Sequence, residues 1–233
     1  MESDKIKVLG ISASPRATEI GASLSDQMLG QLLHYAVEFG GEAKKIVLAQ
    51  KIIAPCEGCY SKKPGDCAFP CIHEEDDTNE ILSEIVRADA LVLATPVYWG
   101  FAWSGLYALL QKMTALENSR WKIFDENGRD PLEGKPFAIL TSQLMEGAIQ
   151  TMSPISSALV QMGMFPVPYG LIFKHSLLSK RGVSLGLRII GERRFAHTEI
   201  DIRLAARNLV ELPKLLKNAG YRFDDDVRRE KEL

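Results

Sequence analysis

Lys5-Ile6-Lys7-Val8-Leu9-Gly10-Ile11-Ser12-Ala13-Ser14-Pro15-Arg16 passes from an apolar run directly into a small, polar, turn-forming loop. The run is too short for a helix, so it reads as a buried first strand entering a loop. Leu24, Met28, Leu32, Ala36 and Val37 then recur at helical spacing, and Gly40-Gly41 stops that helix. Lys45-Ile46-Val47-Leu48 is a second strand. After an irregular stretch from 50 to 77, Thr78 caps a helix through Arg87 whose apolar face is Ile81, Leu82, Ile85 and Val86. Ala90-Leu91-Val92-Leu93-Ala94 is continuously apolar, as a central parallel strand buried on both faces requires. A helix over 103–116, a strand over 136–141 and a helix over 148–162 follow, with Pro154 near the first turn of that helix or kinking it. A strand over 165–173 carries Pro166 and Pro168, which favours a sheet edge. An amphipathic helix over 197–218 ends at Gly220. Strands alternating with helices predict an α/β fold: a doubly wound, five-stranded parallel sheet in the order 2-1-3-4-5 with helices on both faces. Ligands of such sheets sit beyond the carboxyl ends of the strands, at the switch point. The loops after Ile11, Ala94 and Leu140 are therefore expected to converge. Residues 1–220 read as one domain and 221–233 as a charged tail.

Composition narrows the function classes. The chain has 233 residues, 46% hydrophobic, with 28 Lys+Arg against 30 Asp+Glu and a formal net charge of -2. That balance supplies no global field for nucleic acid or anionic lipid. The start, Met1-Glu2-Ser3-Asp4-Lys5, has no apolar targeting core, so a cytoplasmic location is expected. No charged residue lies between Asp89 and Lys112, but Pro96, Gly100, Ser104 and Gly105 interrupt the span. Strand, loop and helix in series explain it better than a membrane helix.

The first loop leads toward a helix N-terminus, where free N–H groups and the helix dipole favour a phosphate. Ser12, Ser14, Thr18 and Ser23 can add hydroxyl donors and Arg16 a charge-assisted pair. The alternative is a Ser-rich turn whose hydroxyls merely cap the helix. Neither a Walker A loop nor G-x-G-x-x-G is present. In the second loop, Thr95-Pro96-Val97-Tyr98-Trp99-Gly100-Phe101, Pro96 stiffens the turn and Gly100 permits close backbone approach. Its aromatics suit a planar ring unless they belong to the core. Thr141, Ser142, Gln143 and the turn at Gly147 supply further donors at the same edge. No Ser-His-Asp set or close carboxylate pair falls there, which argues against a hydrolase.

These residues carry a family resemblance. Gly10-Ile11-Ser12-Ala13-Ser14-Pro15-Arg16, the segment Ala88-Asp89-Ala90 with Thr95-Pro96-Val97-Tyr98-Trp99-Gly100, and Gly134-Lys135-Pro136 resemble the motifs of NAD(P)H-dependent FMN reductases and flavodoxin-like quinone reductases. Pro55-Cys56-Glu57-Gly58-Cys59 and Asp76-Asp77 resemble the iron–sulfur flavoprotein branch. The resemblance implies a flavodoxin-like fold and an FMN-dependent enzyme. The first loop would hold the FMN phosphate; the second and third would contact the ribityl chain and isoalloxazine ring. Hydride would pass from NAD(P)H to flavin N5 and electrons onward to a small-molecule or protein acceptor. It also implies a homodimer or homotetramer, and no catalytic side chain beyond the flavin. Where the family often has Lys-x-x-x-Asp-Arg on its third helix, this chain reads Leu110-Gln111-Lys112. An electron carrier of the iron–sulfur flavoprotein kind is the alternative, and a non-flavin phosphate-binding module a more distant one.

All four cysteines lie in Cys56-x2-Cys59-x7-Cys67-x3-Cys71, a spacing compatible with an iron–sulfur cluster, with zinc, or with metal-free thiols in a substrate-side loop. Iron–sulfur flavoproteins use a more compact set; here its third position is Lys62, and Cys71 is additional. His73 is near enough in sequence to be an alternative ligand, although a lone loop histidine is more often solvated. The basic stretch 174–195 suits a nicotinamide 2′-phosphate, an acidic neighbouring subunit, or solvent.

Overall fold

The computed structural model describes residues 5–18, 23–63, 66–118, 131–144, 146–175 and 185–221, with side chains of the last stretch from 198 onward. The expected excursion over 118–135, much of the basic stretch 174–195 and the charged tail lie largely outside the described residues.

Five strands, β1 (Lys7–Ser12), β2 (Glu42–Val47), β3 (Ala90–Pro96), β4 (Pro136–Gln143) and β5 (Phe165–His175), form one parallel sheet in the order β2-β1-β3-β4-β5. This is the expected flavodoxin-like order. Every residue of β3 and β4 is buried, the reason residues 90–94 and 137–140 are unbroken apolar runs. β2 and β5 are the edges. β2 begins three residues earlier than its apolar run because an edge strand can pair through polar residues such as Glu42 and Lys44. On β5 the exposed prolines Pro166 and Pro168 remove only donors that an edge can spare.

The helices are α1 (Leu24–Glu38), α2 (Cys59–Lys62), α3 (Thr78–Arg87), α4 (Ser104–Lys112), α5 (Thr114–Asn118), α6 (Ala148–Gln161) and α7 (Leu185–Ala219). Helices α3, α4 and α6 cover one face of the sheet, around Leu9, Leu91, Phe137 and Ile139. Helices α1 and α7 cover the other, where Leu29 and Leu32 meet Ala205, Leu209 and Val210. Three boundaries differ from expectation. The cap of α3 is Asp77, and Thr78 is its first helical residue, with its hydroxyl turned to Lys112. The helix over 103–116 breaks at Met113 into α4 and α5. α7 begins at Leu185, inside the stretch expected to be a basic loop. Pro154 lies inside α6. Among the described residues no helix is long and apolar enough to cross a membrane.

Candidate functional site

The register brings the three loops together. β1 and β3 pair Ser12 with Ala94, and β3 and β4 pair Thr95 with Thr141 and Pro96 with Ser142. Pairing continues past the strand ends through Ala13 N–H to the Ala94 carbonyl at 2.7 Å and Val97 N–H to the Ser142 carbonyl at 2.8 Å. Ser12 and Thr141 are fully buried, and among the described residues neither hydroxyl has a hydrogen-bond partner. The same holds for Thr151, one turn into α6, a residue that sequence reasoning passed over. Buried hydroxyls are rarely left unpaired. Ser12 shares the face of Val8, on the α1 and α7 side, and Thr141 the face of Phe137 and Ile139, on the α3, α4 and α6 side, so the unpaired hydroxyls flank the carboxyl edge of the sheet from both faces.

The other residues of the first loop divide. Ser14 is buried and its Oγ accepts the Arg16 N–H at 3.3 Å, closing a local turn. Arg16 and Thr18 are exposed on that turn. Ser23 caps α1, its Oγ accepting the Asp26 N–H at 3.3 Å. The hydroxyl of Ser23 thus does what the simple capping alternative required.

The second loop is a hairpin. Tyr98 and Phe101 exchange backbone bonds at 2.8 and 2.9 Å, leaving Trp99 and Gly100 as the two turn residues. Both have positive φ, 54° and 82°, the geometry of a two-residue hairpin turn usually built from Asn-Gly. A tryptophan in that conformation is strained, and its side chain is 98% exposed. Tyr98 and Phe101 are exposed too, so these aromatics are not core. Thr95 anchors the hairpin, its hydroxyl donating to the Pro96 carbonyl and accepting the Trp103 N–H.

The third loop locks onto the second. Gly147 has φ of 106°, and a Cβ there would stand 2.9 Å from Val97 Cγ1 and 3.1 Å from Gly100 Cα. Only glycine permits that approach. Gln143 is occupied internally: its Oε1 accepts the Ala148 N–H at 2.8 Å and its Nε2 meets His175 Nε2 at 2.9 Å. It holds the start of α6, while Ser142 is buried beside it at the end of β4.

The cysteines form a second centre. Cys56, Cys59, Cys67 and Cys71 line one pocket with Glu57, Asp66, His73 and the end of α4 at Gln111 and Lys112. That end lies about 12 Å along α4 from the start of the helix, next to the aromatic hairpin. Burial, then the neighbouring Cys56, Cys59 and Cys71, push the Cys67 thiol above its ordinary range. Gly58, in the left-handed region, donates its N–H to Cys56 Sγ at 3.4 Å. Among the described residues no three donors stand as a ready metal-binding group.

The loop carrying these sulfurs is tied down by residues the sequence did not single out as a group. Asn79 accepts the Cys71 N–H at 2.7 Å and donates to the Cys71 carbonyl at 2.9 Å, holding both sides of that backbone. Asp76 accepts the N–H groups of Ala54 and Thr78 and pairs with Lys112 at 2.6 Å. Burial alone would raise the Asp76 carboxyl, but Lys112, the Thr78 hydroxyl and the two amides hold it well below the carboxylate range. Lys112 is therefore no loose end of the helix: its side chain is fully buried and donates also to Thr78 Oγ1 at 2.9 Å.

Comparison with known proteins agrees with this layout. An iron–sulfur flavoprotein of Methanocaldococcus jannaschii is 38% identical over 112 residues, 48% of this chain and 53% of that protein. One from Archaeoglobus fulgidus is 31% identical over 155 residues, 61% of this chain and 73% of that protein. The match thus spans about half the length of the first relative and nearly three quarters of the second. The structure of RosB with a bound 8-demethyl-8-formylriboflavin-5′-phosphate intermediate shares the fold, at a TM-score of 0.70 and 18% identity over 93% of this chain and 82% of that one. The family described as NADPH-dependent FMN reductase matches residues 6–176, from the foot of β1 to the end of β5. The hydroxyl-lined strand ends and the locked hairpin all fall inside that span, and the chain belongs to the NADPH-dependent FMN reductase family, close to its iron–sulfur flavoproteins.

Proposed function

We propose that this protein is an FMN-dependent oxidoreductase that takes hydride from NAD(P)H and passes the electrons to a second acceptor, a small molecule or a protein. The observation that carries the proposal is that unpartnered buried hydroxyls end β1 and β4, Ser12 on one face of the sheet and Thr141 on the other, on either side of β3, whose following loop is a hairpin that displays flat aromatic surface. Bound FMN would supply two-electron chemistry at its N5, and the chain would supply binding, orientation and exclusion of water. Ser12, Ser14, Arg16 and Thr18 would hold the phosphate, with Ser23 aiming the α1 N-terminus at it. Pro96, Val97, Tyr98, Trp99, Gly100, Ser142 and Gly147 would border the ring and ribityl chain. Thr95 and Gln143, already engaged, would position those loops.

The decisive measurement is a paired titration with FMN and riboflavin, the latter lacking the phosphate. Ser14→Ala with Arg16→Ala should weaken FMN at least about tenfold and riboflavin little, as loss of a charge-assisted contact predicts. Equal weakening of both would remove these residues from the phosphate grip.

A second reading has its own observation. Four cysteines lining one pocket, in a chain related to iron–sulfur flavoproteins, support a cluster that serves as a one-electron outlet to a protein partner. Steady turnover of NAD(P)H by the purified, FMN-loaded protein with small acceptors supports the enzyme. Flavin reduction only by a reduced protein partner supports the carrier. We also expect a homodimer or homotetramer, because an exposed aromatic hairpin beside an open strand-end crevice calls for a cover from a neighbour.

A further inference from the structure

The cysteine pocket contains one donor that is not sulfur. The Nε2 of His73 is buried, with no hydrogen-bond partner among the described residues. Its nearest charged neighbour, Glu57 Oε1, stands 3.8 Å away, beyond hydrogen-bond reach. The side chain is 18% exposed, so this imidazole is not the solvated loop histidine expected from sequence. His73 lines the same pocket as Cys56, Cys59, Cys67 and Cys71.

Its backbone is held in place. Asn79, from the first turn of α3, reaches the His73 carbonyl at 3.4 Å while gripping Cys71 on both sides. Three residues further on, Asp76 is fixed by Lys112 and by two amides. The strap bearing the imidazole is thus anchored at both ends.

Charge supplies a second reason for a nitrogen donor. Of the pocket's carboxylates, Asp66 pairs with Lys63 at 3.0 Å and Glu57 is half-exposed to solvent. The one lysine lining the pocket, Lys112, already pairs with Asp76, so no lining cation is left to offset added thiolate charge. Four thiolates on a divalent ion would place two further negative charges in this partly buried space. A neutral imidazole in place of one thiolate lowers that charge by one.

We propose that His73 is a ligand, through Nε2, of a mixed thiolate–imidazole metal centre completed by cysteines of the 56–71 loop. The metal is thiophilic, either the iron of a cluster or a single zinc-type ion, and both share this donor chemistry. Among the described residues these donors do not stand as a metal-binding group as placed, so the proposed centre requires the 56–67 part of the loop to close on the anchored 71–73 strap when metal is loaded. The proposal rests on the cysteine pocket being a metal centre.

The test uses the full chain loaded anaerobically in two ways, with iron plus sulfide and with cobalt(II) as a zinc probe. The loaded protein should show a ¹⁴N hyperfine coupling in pulsed electron paramagnetic resonance of the reduced iron form, or the ligand-field bands of mixed sulfur–nitrogen coordination in the cobalt form. Whichever loading succeeds identifies the metal type. His73→Ala should weaken cobalt binding at least about tenfold, since even outer-shell partners of ligands cost that much. His73→Cys should restore affinity while abolishing the nitrogen signature. Flavin retention reports on the fold of each variant. Stoichiometric metal in the unaltered protein without a nitrogen signature overturns the role of His73 alone and leaves the cysteine centre standing. Failure of both loadings overturns the centre itself and His73 with it.

Discussion

Replacing Asp76 with asparagine removes one charge and little volume. Its side chain is 6% exposed, that of Lys112 is fully buried, and the two meet at 2.6 Å. At an effective dielectric near 20 the attraction at that distance is about 6 kcal/mol, most of it offset by desolvation of both groups. Removing one partner strands the other, and the expected loss is about 3–5 kcal/mol. Against a domain stability of about 5–15 kcal/mol that is about a fifth or more. Lys112→Met should cost less, about 1–3 kcal/mol, because Asp76 keeps the amides of Ala54 and Thr78. The acid limb supplies an independent check. The Asp76 carboxyl is held below its usual 3.8 in the folded state. Its contribution is therefore present above that value and lost as pH falls through the depressed one. Urea unfolding from neutral pH down into this acid window, for the unaltered protein and both variants, reads both quantities. The asparagine variant should lack the part of the acid slope due to this carboxyl. A cost below about 1 kcal/mol at neutral pH, with an unchanged acid limb, would refute the idea that this pair braces the cysteine loop.

Trp99→Ala should leave stability within about 0.5 kcal/mol, since the side chain is 98% exposed; stopped-flow traces should show an altered acceptor half-reaction, and an unchanged one would remove Trp99 from the site. Gly147→Ala should cost about 1–3 kcal/mol and loosen the flavin, because φ of 106° and the 2.9 Å approach to Val97 both exclude a Cβ; calorimetry and flavin retention check it. Sedimentation should find an oligomer, and a monomer that holds FMN tightly would contradict a cover supplied by a neighbour. Asn79→Ala should selectively loosen residues 71–73, seen as faster amide exchange at Cys71, whose N–H it binds at 2.7 Å.

The middle of the sheet was legible because its central strands are buried on both faces. Leu91, Val92 and Leu93 need no alternation, and their apolar run can be read directly. The strand-end loops followed from topology, so Ser12 and Thr141 were found without any contact being known. What escaped was of a different kind. The Trp99-Gly100 turn hides because its left-handed geometry is normally announced by asparagine, not tryptophan. Lys112 and Asp76 lie 36 residues apart, and no local pattern says that one is the other's partner. Thr78 looked like a cap because it is a good one, but its hydroxyl serves Lys112. His73 looked solvated because burial of a single loop residue depends on packing brought from elsewhere in the chain.

The hairpin of Tyr98 to Phe101 closes through its own main chain. No side chain of Trp99 is needed to form it, and none of the core leans on that ring. Position 99 is therefore a place where single codon changes can be sampled by natural variation at almost no cost to folding. Lineages that diverge in the molecules they reduce are expected to differ first at this tip, while Thr95, Gly100 and Gly147 beneath it stay fixed.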